Sequence, residues 1–209
     1  MPADGLSVGE DGVLRCWWAS STPDYQLYHD TEWGFPVDAD VRLFEKLSLE
    51  GFQAGLSWLT ILRKREAFRR AFAGFDFARV ARFDENDVQR LLADASIVRH
   101  RGKIEAVVNN AARALELTER EGSLARFVWA YEPAADQRPR RITRRALSDL
   151  AQTDASRALA RELRRRGWRF VGPTTVYAFM QAMGLVNDHL EGCAARPEVE
   201  RARAAFRRP

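Results

Sequence analysis

Four side chains that can ligate a metal lie in two pairs near opposite ends of the chain. Cys16 and His29 form the first pair, and His189 and Cys193, one helical turn apart, form the second. The whole sequence has only two cysteines and three histidines. Two thiolates and two imidazoles are a ligand set that zinc takes tetrahedrally in structural sites, with no position left open for substrate. The sequence therefore allows a structural zinc that joins the two segments, or four buried side chains without a metal.

A second chemical pattern is an aromatic-rich segment followed by a carboxylate in apolar surroundings. Residues 16–34 are dense in Trp and Tyr, and Glu50 then lies in the run LEGFQAGLSW, eight residues before Trp58. A carboxylate in an apolar run should be exposed, paired or functional, because burying it alone is costly. Aromatic faces with one carboxylate would suit a flat, electron-poor ring that bears N–H donors. The alternative is that most of these rings are core packing.

The third pattern is a basic turn between two predicted helices within residues 84–115. The helices DVQRLLADA and KIEAVVNNAARAL are joined by SIVRHRG. The free N–H groups and the dipole at the start of the second helix favour an anion, and Arg99, His100, Arg101 and Lys103 add positive charge there. Such a helix–hairpin–helix would hold a DNA phosphate, a contact that positions DNA without reading its sequence. An ordinary turn between helices with a basic surface is the alternative.

The elements that must position these residues are predicted to be helices. Apolar residues recur at helical spacing from Asp40 onward, whereas no stretch shows sustained two-residue alternation. An aspartate before Val41, together with Ser57 and Asp84, is predicted to cap helix starts, and Gly184 follows a predicted helix end. The predicted fold class is therefore all-α.

Length and composition indicate a folded domain with irregular ends. The chain has 209 residues, 46% of them hydrophobic and 30% charged, which is enough to bury a core without disulfides. We predict a flexible N-terminal tail at 1–14, a single helical domain at 15–193, a basic C-terminal tail at 194–209, and a loop at 132–148. No apolar run approaches 18 residues and no signal region begins the chain, so the sequence predicts neither a membrane span nor secretion. The net charge of +4 is compatible with an anionic partner.

Four motifs in order then define a family resemblance that spans residues 15–193. They are C-x-W-x6-Y-x2-YH-x3-W-G (16–34), LEG-x-QAGLSW (49–58), IVRHRGKI-x-A (97–106) and RGWRFVGPTTVYAFMQAMGLVNDH-x3-C (166–193). This set resembles the DNA-3-methyladenine glycosylase I family of the helix–hairpin–helix superfamily. Phe52 departs from the family pattern, in which a glutamine is usual, and the stretch 132–148 matches poorly.

The resemblance implies a two-lobed, all-α DNA repair enzyme with a zinc clasp between its N- and C-terminal segments. The implied reaction is the flipping out of 3-methyladenine and hydrolysis of its N-glycosidic bond, without strand cleavage, as the first step of base excision repair. The expected partner is alkylated double-stranded DNA, with no membrane, and we expect a monomer in the bacterial cytoplasm or nucleoid. A non-catalytic, zinc-stabilised DNA-binding module and a glycosylase of broader lesion range are the alternatives.

The resemblance also assigns roles to individual residues. It makes Glu50 the catalytic candidate, and it implies a structural Zn²⁺ ligated by Cys16, His29, His189 and Cys193. It implies lesion-base contacts by Trp18, Tyr25, Tyr28, Glu50 and Trp58. It implies DNA contacts by Leu56, which would fill the gap left by a flipped base, and by Ser96, Arg99, Arg101, Gly102 and Lys103.

Overall fold

The computed structural model describes residues 5–148 and 150–209, which are mostly helical. Two short strands come first: β1 (Leu6–Val8) and β2 (Leu14–Cys16). The α-helices of the described residues are α1 (Pro23–Thr31), α2 (Asp40–Gln53), α3 (Trp58–Ala71), α4 (Phe77–Val80), α5 (Glu85–Ala93), α6 (Arg101–Glu121), α7 (Leu124–Trp129), α8 (Arg144–Ser148), α9 (Asp154–Arg165), α10 (Pro173–Ala182) and α11 (Ala195–Ala205). No helix of these described residues is long and apolar enough to cross a membrane.

Two of the predicted helix starts are confirmed by their capping hydrogen bonds. Ser57 precedes α3, and its Oγ accepts from the backbone N–H of Thr60 at 3.2 Å. Asp84 precedes α5 and forms a capping box with Asp87, in which each side chain accepts from the other residue's backbone. These bonds satisfy N–H groups that have no partner inside the helix.

The aspartate cap predicted before Val41 is wrong. The N-cap residue of α2 is Ala39, which makes no side-chain cap hydrogen bond. Asp40 instead accepts from the backbone N–H of Ala125 at 2.8 Å, at the start of α7. This carboxylate therefore satisfies an orphan donor of a helix 85 residues further along the chain and ties α7 to α2.

The three segments predicted to be tails or a loop contain regular structure. In the predicted flexible tail 1–14, strand β1 pairs antiparallel with β2, with Leu6 opposite Cys16. The predicted basic tail 194–209 contains α11, and the predicted loop 132–148 contains a short 3-10 turn and α8. The predicted helical fold class is confirmed, and the structure adds one small sheet whose three-residue strands are too short to show alternation. The predicted domain limits, 15–193, and the division into two lobes stay predictions.

Helix α2 runs through the main apolar core and is buried on all sides over residues 43–52. The core packs α2 against α3, α6, α7 and α10, and α10 against α9. Its largest fully buried aromatic side chains are Phe44, Phe52, Phe68, Phe72, Phe75 and Phe179. Because a helix buried all round leaves no solvated face, the charged residues Glu45, Lys46 and Glu50 of α2 must find partners inside the protein.

Gly184 lies where the chain leaves α10 and crosses the segment that follows α1. Its φ is +77°, and a Cβ there would lie 2.5 Å from the backbone nitrogen of Pro36 and 2.6 Å from the carbonyl carbon of Phe35. Gly55 has a similar φ of +81°, but a Cβ there would meet nothing within 4 Å. Substitution at these two positions therefore separates the cost of a left-handed backbone from the cost of a steric clash.

We expect Gly184→Ala to lower the free energy of unfolding by about 3 kcal/mol, because it adds a backbone clash to the cost of a left-handed alanine. Gly55→Ala should lower it by only about 1 kcal/mol, since it carries the conformational cost alone. Urea denaturation of the two variants beside the unsubstituted protein measures both values. Equal losses would show that the close approach at Pro36 is relieved without consequence.

Candidate active site and metal centre

A cavity of about 290 Å³ lies between the N-terminal aromatic segment, α2, α3 and α10. Its size is at the lower end of the range for small-molecule pockets, about 300–1,000 Å³. The residues that line it are Trp17, Trp18, Tyr25, Tyr28, Trp33, Glu50, Gln53, Trp58, Leu147, Ala178 and Gln181. All five residues predicted to contact a base are in this set, so the structure brings them together from separate parts of the sequence. Below, this cavity is called the aromatic pocket.

The rings of the aromatic pocket pack mainly edge to face or tilted. The ring centroid of Trp18 lies 5.4 Å from that of Tyr25 and 5.1 Å from that of Trp33, both in T-shaped contacts. Tyr28 and Trp58 are tilted, with centroids 5.5 Å apart. Trp18, Tyr25 and Trp58 are only partly buried. Trp18, Tyr25 and Trp58 therefore line an opening. Tyr28 is buried, and Trp58 also packs against the main core, so the packing alternative holds for part of this set.

Glu50 is buried, with 4% of its surface exposed, and is paired with a lysine that the sequence analysis did not single out. The Nζ atom of Lys46, one helical turn earlier on α2, lies 2.8 Å from Oε1 of Glu50. The same Nζ donates to the Tyr28 hydroxyl at 2.8 Å and lies 3.2 Å from the ring centroid of Trp58. The spacing of four residues on a buried helix was the signal in the sequence that could have found it.

Burial changes the proton affinity of the polar groups around Glu50. Burial lowers the pKa of Lys46 to about 8, although the Glu50 carboxylate acts in the opposite direction. Burial, followed by the charge of Glu50, raises the pKa of Tyr28 well above its usual value, and burial also raises the pKa of Tyr25. Both phenols therefore keep their protons at neutral pH and can donate hydrogen bonds into the aromatic pocket.

A second cavity of about 170 Å³ lies on the other side of Tyr28 and Trp58, which line both spaces. We call it the rear cavity. Its charged lining residues are Glu32, Arg42, Glu45, Lys46 and Arg65. Most of these charges are paired: Arg65 contacts Glu32 at 2.6 Å, and Glu45 is held at 2.8 Å by Arg69. Lys46 is the lining residue whose ammonium also reaches a carboxylate of the aromatic pocket.

The four predicted metal ligands meet in a buried cluster at the end of the aromatic segment. One ligand atom of each lies within 4.8 Å of the ligand atoms of the others. The Nδ1 atom of His189 is 3.1 Å from Nε2 of His29, 3.6 Å from Sγ of Cys193 and 4.0 Å from Sγ of Cys16. Tetrahedral zinc with these ligands would set donor atoms about 3.3–3.8 Å apart. The donor set and its spacing therefore fit a four-coordinate metal ion.

The outer ring nitrogens of both histidines are held by other groups. Nδ1 of His29 lies 2.7 Å from a carboxylate oxygen of Asp30, which is itself paired with Arg15 at 2.8 Å. Nε2 of His189 lies 2.8 Å from the carbonyl oxygen of Trp33. These contacts leave Nε2 of His29 and Nδ1 of His189 facing the cluster, which is how metal-ligating histidines are commonly oriented.

The basic turn lies between α5 and α6, and its predicted DNA contacts are placed differently from one another. Arg99 is exposed, while Arg101 pairs with Glu85 at 3.0 Å and with Glu105 at 3.0 Å. Gly102 lies in the first turn of α6. Ser96 donates its hydroxyl to Asp94 at 2.6 Å, before the helix begins. The turn is thus exposed and basic. Among the described residues, Arg99 makes no ion pair.

Lys103 does not project from this turn. It is buried, and its Nζ atom donates to the carbonyl oxygens of Phe52 at 2.9 Å and Ala54 at 2.5 Å. These carbonyls end α2, where they have no partner within the helix. The prediction that the Lys103 ammonium contacts DNA is therefore corrected: it links α6 to the end of α2. Burial lowers its pKa.

Leu56 is exposed just beyond the end of α2, whereas Phe52 is buried in its last turn. Leu56 is 40% exposed in the loop between α2 and α3, next to the pocket residue Gln53, whose side chain donates to its carbonyl at 3.1 Å. This placement is compatible with its predicted role beside a flipped base. Phe52 is fully buried, 4.6 Å from Phe68 between ring centroids, and does not line the aromatic pocket. The residue that departs from the family pattern is thus a core residue.

The chain matches one protein family and is similar to two bacterial DNA glycosylases. The family described as methyladenine glycosylase matches residues 18–196. DNA-3-methyladenine glycosylase 1 of Escherichia coli K12 is 47% identical over 184 residues, which are 88% of this chain and 97% of that protein. DNA-3-methyladenine glycosylase of Haemophilus influenzae is 40% identical over 187 residues, 88% of this chain and 98% of that protein.

A solved structure of 3-methyladenine DNA glycosylase I from Staphylococcus aureus superposes with a TM-score of 0.80. It is 37% identical, and the match covers 86% of this chain and 95% of that one. Fold and site thus define a helical protein with an aromatic, carboxylate-bearing pocket beside a basic turn. The chain belongs to the methyladenine glycosylase family.

Proposed function

We propose that this chain excises 3-methyladenine from alkylated DNA by hydrolysing the N-glycosidic bond, as the first step of base excision repair. The observation that carries the proposal is the aromatic pocket with Glu50 buried in its wall. The 47% identity to the Escherichia coli enzyme over 88% of this chain supports the same activity.

Hydrolysis of the N-glycosidic bond of 3-methyladenine needs few catalytic groups. In the nucleotide, the methylated base is cationic and leaves as a neutral ring, so a strong general acid is not required. The base must first leave the helical stack, which costs a few kcal/mol and is easier for damaged bases. Trp18 and Trp58 then stack on the cationic ring, Glu50 accepts from its exocyclic amine, and Tyr28 donates a directed hydrogen bond. Water attacks the oxocarbenium-like sugar, and the strand is not cut.

The DNA backbone is held by the basic turn between α5 and α6 acting as a helix–hairpin–helix. The N-terminus of α6 and the side chain of Arg99 would contact a phosphate, with Ser96, Arg101 and Gly102 beside it. Leu56 would enter the space that the flipped base leaves. We further propose that the protein binds alkylated duplex DNA as a monomer.

Arg99 and Arg101 give a direct test of this DNA contact. We expect Arg99→Ala to weaken duplex binding about fivefold to tenfold and to lower the slope of log K against log salt by about 0.9. Arg101→Ala should change both less, because Glu85 and Glu105 already neutralise that guanidinium. Fluorescence anisotropy titrations over a range of salt concentrations measure both quantities. A larger effect at Arg101 would place the phosphate contact elsewhere.

For the buried cluster of Cys16, His29, His189 and Cys193, we propose a structural Zn²⁺. The donor set and the held imidazoles support it. Because all four coordination positions would be filled by protein, the ion would supply stability and no chemistry at the sugar. It would tie β2 and α1 to the segment between α10 and α11.

A non-catalytic DNA-binding module is the second candidate, since it would keep the basic turn and the metal cluster. The test that separates the two is chromatography of the bases released from methylated duplex DNA by the purified protein. Release of 3-methyladenine supports the enzyme, and retention of 7-methylguanine would indicate a narrow lesion range. If a folded, metal-loaded sample binds DNA but releases no base, the module is the better account.

A further inference from the structure

One buried ammonium group contacts three of the five proposed base-binding residues. The Nζ atom of Lys46 pairs with Glu50, donates to the Tyr28 hydroxyl and lies over the face of Trp58, at 2.8, 2.8 and 3.2 Å respectively. Since Lys46 donates to the Tyr28 oxygen, the hydroxyl hydrogen of Tyr28 must point elsewhere. Lys46 therefore fixes the orientation of the groups that would receive a base, although it does not itself line the aromatic pocket.

When a methylated base enters the pocket, two cations, Lys46 and the base, lie beside the single carboxylate of Glu50. Glu50 is neutralised by Lys46 in the free protein, and a cationic base would bring a second positive charge to the same buried carboxylate. Like charges that are partly withdrawn from water repel strongly, because the surrounding dielectric constant is low. A neutral adenine in the same position would meet no such repulsion.

This inference rests on the proposed function. We propose that Lys46 is a positioning residue that loses a proton when a cationic base enters the pocket. One Nζ–H bond of Lys46 breaks, the proton passes to water, and the base cation replaces Lys46 as the counter-charge of Glu50. When the glycosidic bond breaks, the base becomes neutral and Lys46 takes up a proton again. Glu50 is then neutralised, which weakens the hold on the product.

The rear cavity gives the released proton a route that does not pass through the base. Lys46 lines this cavity, while Tyr28 and Trp58 separate it from the aromatic pocket. The neighbouring end of α10 contributes the uncharged Met183. The charged or titratable groups around Lys46 are Arg42, Glu45 and Glu50 on α2, Tyr28 on α1, Glu32 just after it, and Arg65 on α3.

The pKa of Lys46 in the free protein already favours loss of its proton when a cationic base binds. Burial lowers its pKa to about 8, so a base cation nearby needs to shift it by little to remove the proton near neutral pH. Because a bound cation favours neutral Lys46, cation binding should strengthen as pH rises towards that pKa and level off above it. Binding of a neutral base should not depend on pH in this way.

The first test compares pH profiles of excision for the unsubstituted protein, Lys46→Met and Lys46→Arg. Methionine keeps the length and packing of the side chain without charge, whereas arginine keeps a charge that does not titrate. We expect kcat/KM for 3-methyladenine release to rise about tenfold between pH 6.5 and 9 in the unsubstituted protein. It should be low and flat for Lys46→Arg, and flat for Lys46→Met. The same rise in both variants would overturn the proposal.

The second test measures the proton itself. Calorimetry in two buffers of different ionisation enthalpy counts the protons released when 3,9-dimethyladeninium, a fixed cation, binds the protein. We expect release of up to one proton near pH 7 with the unsubstituted protein and none with either Lys46 variant. Neutral 9-methyladenine should release none. Proton release that persists in Lys46→Met would assign it to another group.

The outcomes distinguish this proposal from the proposed function. If folded, unsubstituted protein releases no 3-methyladenine at any pH, the proposed function fails. If it releases the base with a profile that ignores position 46, only the role of Lys46 fails. Borohydride trapping of a covalent DNA complex that is lost in Lys46→Met would make Lys46 a nucleophile, which also overturns the positioning role.

Discussion

Replacement of Glu50 by glutamine is expected to lower the rate of 3-methyladenine release at least about 100-fold, in the range seen for loss of one preorganised electrostatic group. Glutamine can still accept a hydrogen bond from the exocyclic amine, but it removes the negative charge that favours the cationic base. The measurement is single-turnover release of labelled 3-methyladenine from methylated duplex DNA. Full excision by Glu50→Gln would show that the carboxylate has neither a recognition nor a catalytic role.

The ion pair with Lys46 complicates that variant, and the chain offers two controls. Removal of one partner of a buried pair destabilises a protein by about 3–5 kcal/mol, because the other charge stays buried. The double variant Glu50→Gln with Lys46→Met removes both charges, so it should recover stability without recovering excision. Glu45→Gln is the matched control: Glu45 is also 4% exposed and ion-paired, to Arg69, but it faces the rear cavity.

These controls separate chemistry from folding. We expect Glu45→Gln to lose stability comparable to that lost by Glu50→Gln while it keeps most of its excision activity. Urea denaturation and base release are measured on the same preparations. Equal losses of activity in the two variants would mean that buried charge on α2 supports the fold and nothing more specific.

Removal of the proposed metal should have the largest effect on stability. We expect a chelator, or Cys193→Ser, to lower the free energy of unfolding by more than about 4 kcal/mol, since metal binding to a structural site adds directly to folding free energy. Elemental analysis of the purified protein should find about one zinc per chain, and urea denaturation with and without chelator gives the energy. Excision should fall only as far as the folded fraction falls.

The chelator also supplies the control. Cys193→Ser should no longer respond to it, because three ligands hold the ion too weakly. In a metal-free cluster, by contrast, the substitution would cost only about 1 kcal/mol as one buried polar exchange, and the chelator would change nothing. That pattern would leave the four side chains as a buried hydrogen-bonded group.

The sequence predicted well those features in which residue type is rare and its chemistry narrow. Two cysteines and two histidines could be grouped as ligands before any geometry was known, and the structure brings them into one cluster. Glu50 and the neighbouring Trp and Tyr residues were recognisable because a carboxylate in an apolar run needs a reason. Helix starts at Ser57 and Asp84 were predictable because capping is local.

The sequence predicted poorly those features that depend on packing between distant segments. Lys46 is one turn from Glu50, but its contacts with Tyr28 and Trp58 require α1 and α3 to be in place. Lys103 was read with its exposed basic neighbours, although it lies four residues before the buried Val107 on one face of α6. The strands β1 and β2 were missed because each has three residues.

The buried Lys103 links the helix of the proposed phosphate contact to the helix that carries Glu50. Its ammonium bonds the first turn of α6, where the proposed phosphate contact lies, to the carbonyls that end α2, a single turn beyond Glu50. These two hydrogen bonds therefore help to set the distance between the proposed phosphate contact and the proposed base-binding pocket. We expect a constant number of nucleotides between the phosphate that the basic turn contacts and the base that enters the aromatic pocket.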